Sequence, residues 1–171
     1  MRHTRRGVIA RTRREFAELD RVVRRLRPAD WKQLVPRPLN RDPWTVKDAL
    51  CHIVYWKEHS TRVFRGEPRP PELRGLDVKT LNRLIYKRWR GRRPSEVVLW
   101  HRRVHADVMK MLAQTPDEWF RRREHSKDWP LDFDGHSAAH RIKDIEAAWS
   151  GATPRARPAA KRQATRGTGD R

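Results

Sequence analysis

The chain has 171 residues, a formal net charge of +20, eight tryptophans and one cysteine. That length suits one domain with tails, the lone Cys51 excludes an intrachain disulfide framework, and no apolar run approaches the roughly 20 residues of a membrane span. The basic N-terminus lacks the continuous apolar core of a signal peptide, so the sequence reads as cytoplasmic, with tryptophan supplying much of the area that one core can bury.

The charge is uneven: residues 1–27 carry +7 and residues 151–171 carry +5. Such an excess fits nonspecific nucleic-acid contact through basic ends, or an anionic membrane surface. It fits equally a compositional preference for arginine over lysine, because no nucleic-acid motif accompanies it.

Residues 1–7 read as a basic extension and residues 8–150 as the domain. The first helix is expected over about residues 8–26, where Ile9, Phe16, Leu19, Val23 and Leu26 recur at helical spacing. Pro28 stops it. Four prolines make residues 28–43 a connector from which Trp31 and Leu34 fold back onto the core. Thr45 then starts a second helix, with Asp48 in the capping-box position, and Gly66 ends it. Val46, Leu50, Ile53, Val54 and Phe64 share its apolar face, and His52 sits at that face's edge, in line with Ala49, Trp56 and His59.

Residues 66–76 are a proline-rich loop. A third helical stretch covers about residues 78–90, with Leu81, Leu84, Ile85 and Trp89 apolar. Ser95 caps another helix to about residue 114, separate from the third or continuous with it through a bend. Its stripe is Val97, Trp100 or His101, Val104, Val108, Met111 and Leu112. Thr115 caps a short turn, and residues 121–134 read as loop. The last helix runs over about residues 136–149 on the stripe Ala138, Ile142, Ile145 and Trp149. Residues 151–171 lack apolar periodicity and read as disordered. With no strand-period segment, the helices imply an all-α, antiparallel four-helix bundle.

His136 and His140 stand four apart, on one side of a helix, and can share a metal ion. His52 from a facing helix would complete a three-nitrogen set with open positions for water or substrate. Imidazole suits divalent Zn, Ni and Fe alike. Spacing alone also fits a solvated face, because on an ideal wheel the pair projects opposite the stripe of Ile142, Ile145 and Trp149. His59, Asn82 and Tyr86, with Trp56, are weaker pocket candidates and fit ordinary helix-surface or core positions as well. His101 and His105 form another such pair, with His101 close to the apolar stripe.

The stretch WTVKDALCHIVYWKE, from Trp44 to Glu58, resembles the second-helix motif of the DinB/YfiT-like superfamily. His136 and His140, in FDGHSAAHRIKDIEAAW, match its last-helix histidine pair. LNRLIYKRWRGRRPSEVV and the DEWF turn are similar to the ClbS/DfsB-like branch. The resemblance spans about residues 10–150 and implies a four-helix bundle with a metal held by His52, His136 and His140. Cys51 stands where a small residue is usual. It lies about 100° round the helix from His52, so a buried thiol is expected rather than a ligand.

The resemblance implies an enzyme acting on a small reactive molecule: a metal-dependent hydrolase, or a detoxifying protein that uses a low-molecular-weight thiol. The alternative is a non-catalytic, basic, nucleic-acid-associated bundle. The oligomeric state is open, and a homodimer is compatible with the sequence.

Overall fold

The computed structural model describes residues 3–36, 41–121 and 136–149, the His136 side chain excepted. The tail expected over 151–171 and most of the loop expected over 121–134 lie outside the described residues. The bundle is built from α1 (Arg5–Arg25), α2 (Val46–Phe64), α3 (Val78–Trp89), α4 (Pro94–Gln114), the short α5 (Asp117–Phe120) and a C-terminal helix. The C-terminal helix begins as α6 (His136–His140), passes through a π-helical stretch (Arg141–Glu146) and closes as α7 (Ala147–Trp149). Among the described residues the sole β pairing is an isolated antiparallel bridge between Leu34 and Thr45.

Helix α2 is the centre, packing on α3, α4 and the C-terminal helix, while α1 packs on α4 and α6. Its N-terminus is fixed by a reciprocal cap. The Asp48 amide donates to Thr45 Oγ1 at 3.3 Å and the Thr45 amide donates to Asp48 Oδ2 at 3.0 Å. Such a cap contributes about 1 kcal/mol. Gly66, at φ 70°, ends the helix in the left-handed region that side chains avoid.

The expected stripes converge on one core. Leu19, Leu50, Ile53, Val54, Val97, Leu112, Phe120 and Ile145 are wholly buried, each worth about 1.5–3 kcal/mol of transfer free energy. On α4 the alternative between Trp100 and His101 resolves to both being buried. A smaller cluster of Leu73, Leu81 and Ile85 packs under Tyr55 and Trp56, which fastens α3 to α2.

Several local expectations are corrected. Helix α1 starts three residues early, because Thr4 Oγ1 accepts from the Gly7 amide at 3.0 Å. Helices α3 and α4 are separate, and α4 starts at Pro94 rather than behind a Ser95 cap. Proline suits a first helical turn whose amide needs no partner, and Glu96 Oε2 takes the Arg93 amide at 2.8 Å. Thr115 does not cap α5; its hydroxyl donates to the Met111 carbonyl at 2.8 Å. Leu34 is 63% exposed while Val35 is buried, since successive side chains of the bridged segment point to opposite sides.

The largest correction concerns the C-terminal helix. Ile142, expected in the buried stripe, is 56% exposed, whereas Ser137, Arg141, Asp144 and Ile145 are buried. The π stretch closes i to i+5 bonds and widens the turn. Residues four apart (Ser137, Arg141, Ile145 and the half-buried Trp149) therefore stay on one side.

Candidate metal centre

The cap at Thr45 and the packing of α2 carry His52 into the interior, where it is 4% exposed. The expected half-exposed edge is covered by two elements. Trp44, just before the helix, lies with its ring 4.8 Å from the His52 ring. From the C-terminal helix, the His140 ring meets His52 edge-on, with centroids 4.7 Å apart at 74°. Trp56, one turn further along α2, stands edge-on at 6.2 Å.

His140 Nδ1 lies 2.6 Å from Asp144 Oδ2. A carboxylate only accepts, so Nδ1 is the donor, and in the neutral ring the lone pair falls to Nε2. This is the carboxylate–histidine pairing that orients metal-binding imidazoles. Beside it, the buried Arg141 guanidinium donates to Glu18 Oε2 of α1 at 2.8 Å and to Glu146 Oε1 at 2.7 Å. The bond to Glu18 ties the C-terminal helix to α1, and the bond to Glu146 holds the guanidinium in place.

Two imidazoles this close, one oriented by a carboxylate, could lend nitrogen donors to a divalent transition ion. His136 stands one turn before His140 in α6, and its side chain is not among those described. Among the described residues no cluster of three or more histidine, cysteine or carboxylate groups could hold a metal. The geometry brings His52 and His140 together, and a metal held by them with His136 stays an expectation.

Of the pocket candidates, the structure gathers Trp56, Asn82 and His59. Trp56 Nε1 donates to Asn82 Oδ1 at 3.1 Å, tying α2 to α3. The His59 ring stands edge-on to Trp56 at 5.4 Å, and its Nε2 is 3.4 Å from Arg69 Nη2. Tyr86 is half-buried against the main core and joins none of these contacts. Cys51 is buried, and burial first of all pushes its thiol up to about 12.

Asp144, Arg141 and the burial of Asp20 and Lys57 beside His101, between α1, α2 and α4, are not singled out by the sequence. Asp144 had a signal, since it stands four residues after His140, where helical side chains meet. Asp20, Lys57 and His101 form a buried polar layer. Phe16 stacks on His101 and His105, at 4.8 Å and 3.7 Å. Burial, and next the Lys57 charge, lower His101 to about 3 and His105 to about 4. Both rings are neutral packing groups at ordinary pH.

Residues 12–144 match the family model described as the mycothiol maleylpyruvate isomerase N-terminal domain. Among solved structures, the chain is similar to an uncharacterised protein from Escherichia coli UTI89. The identity is 12% and the TM-score 0.62, over 82% of this chain and 92% of that one. It is also similar to the colibactin self-resistance protein ClbS, solved in complex with a double-stranded DNA. There the identity is 11% and the TM-score 0.59, over 82% of this chain and 95% of that one. At these identities the likeness is one of fold. No curated protein matches the sequence.

Proposed function

Because the chain belongs to the mycothiol maleylpyruvate isomerase N-terminal domain family, within the DinB/YfiT-like superfamily, we propose that it is a metal-dependent enzyme acting on a small reactive molecule, either as a hydrolase or with a low-molecular-weight thiol as co-substrate. The observation that carries this reading is the meeting of His52 and His140 at 4.7 Å, with Asp144 fixing the tautomer of His140. His52, His140 and His136 would hold a divalent Zn, Ni or Fe ion. Such an ion lowers the pKa of a bound thiol or water toward neutrality and so supplies a nucleophile.

The surrounding residues have separable roles. Asp144 keeps the His140 proton on Nδ1. Arg141, through Glu18 and Glu146, holds the helix that bears His140. Trp44 and Trp56 wall His52 with apolar rings, which exclude water and strengthen electrostatic interactions in the site. The Trp56–Asn82 bond ties α2 to α3 beside His59.

Cobalt loading tests this reading. Addition of a small thiol to the cobalt-loaded chain is expected to produce a thiolate-to-cobalt absorption band, absent in His52→Ala. A band unchanged by that substitution would contradict the assignment.

A second reading, nucleic-acid association of a basic bundle, is favoured by the net charge of +20. It gains support from the similar fold of ClbS, whose structure contains DNA. Electrostatic binding of this kind weakens steeply with salt, because each neutralised phosphate releases counterions. Retention of the chain on a DNA column that is insensitive to salt would contradict it.

A further inference from the structure

Every exposed residue of α1 is arginine, glycine or alanine: Arg6, Gly7, Ala10, Arg13, Arg14, Ala17, Arg21, Arg24 and Arg25. None of the three acids of this helix is exposed, and Glu15 is half-buried. Asp20 is buried, and Glu18 is half-buried and bonded to Arg141. Asp20 takes Arg24 Nε at 2.6 Å and Arg102 Nε, from α4, at 3.3 Å, so one buried carboxylate holds two guanidinium groups at the surface and leaves a net positive charge. Arg6, Arg13, Arg14 and Arg21 make no ion pair among the described residues.

We propose that the outer face of α1, with Arg102 of α4 beside it, is a docking surface for the phosphodiester backbone of a nucleic-acid duplex. The inference deepens the second reading by placing the contact on the folded α1, within the basic N-terminal stretch, rather than on residues 151–171. The α1 helix has 21 residues and is therefore about 30 Å long, close to the roughly 34 Å of one duplex turn. Gly7, Ala10 and Ala17 leave the surface between the arginines low, so a rod can lie against it. Shallow depressions follow the same line, one beside Arg6, Ala10 and Arg13, where Arg5 pairs with Asp117 at its rim, and one beside Ala17, Arg21 and Arg24.

The same face is poorly built for a membrane surface. An interfacial helix needs large apolar side chains to enter the acyl boundary, and no exposed residue of α1 is one. Contacts from arginine to phosphate oxygens position a duplex and carry no sequence information.

The test uses the full chain and a labelled 20-base-pair DNA duplex of mixed sequence, titrated across salt concentrations. One variant is R6Q/R13Q/R14Q/R21Q, since glutamine keeps helix propensity, and unchanged circular dichroism checks its fold. The other is R155Q/R157Q/K161Q/R162Q. The helix variant is expected to bind at least about tenfold more weakly at 0.1 M salt, with the salt slope reduced by roughly three to four, while the tail variant keeps most of its affinity. Wild-type affinity and slope in the helix variant, with binding lost in the tail variant, would overturn the inference and leave the second reading standing. No binding by the unaltered chain would overturn both. Tighter binding to phosphatidylserine vesicles than to the duplex, at equal salt, would also overturn the inference.

Discussion

Asp144 holds His140 by a 2.6 Å hydrogen bond to Nδ1, and that bond decides which imidazole nitrogen carries the lone pair. The partner is set one helical turn away, by an element whose rotation depends on a π stretch. Asp144→Asn keeps the size of the side chain but gives up the carboxylate. Metal affinity is expected to fall about 10- to 100-fold, with little change in melting temperature. Competition with a metallochromic chelator measures it, and an unchanged affinity would remove Asp144 from the site.

Arg141 is expected to matter for both stability and site. It is buried and bonds two carboxylates, and charged hydrogen bonds of this kind contribute roughly 1.5–3 kcal/mol each at most. Arg141→Met should destabilise the chain by about 2–3 kcal/mol in urea unfolding. Glu18 and Glu146 remain partly hydrated, which limits the cost. The variant should also bind metal more weakly, because His140 loses its adjacent anchor.

Acid should destabilise the bundle through His101 and His105. Both have folded pKa values depressed below the ordinary 6.5, to about 3 and about 4. The unfolded chain therefore takes up these protons first, and the stability held above pH 6.5 is lost as pH falls toward 4 and then 3. His101→Leu fills the same space without a titrating group. Its melting temperature, relative to wild type, is expected to rise more at pH 5 than at pH 8. An equal shift at both would show that His101 does not contribute to the acid response.

Cys51 should be inert in the native state. With its thiol near 12, the thiolate fraction at pH 8 is about one in ten thousand, and the thiolate is the reactive species. A thiol-specific reagent is expected to label Cys51 only after denaturant is added. Rapid native labelling would mean that α2 opens readily around it.

Much of the bundle was legible in the sequence because its buried stripes follow helical spacing. Leu19, Leu50, Ile53, Val104 and Leu112 all lie in the core, and the Thr45–Asp48 cap was visible as a pair of residue types three apart. The C-terminal helix was not legible in the same way. An ideal wheel puts Ile142 inside and His140 outside, but π-helical bonding shifts the register, which periodicity at 3.6 residues cannot register. Arg141 and Asp144 look like surface charges until a partner from α1 and a neighbouring histidine are known. The buried Lys57 and Asp20 escaped for a related reason: their burial is decided by α1 and α4 closing over them, not by local pattern.

His52 and His140, with His136, are proposed to hold a metal ion. Elemental analysis of the purified full-length chain, before and after reconstitution with a divalent transition ion, tests it most directly. About one ion per chain is expected in the wild type, with its loss in both His52→Ala and His140→Ala. A wild-type chain that holds no ion after reconstitution, or a His140→Ala chain that keeps it, would contradict the account.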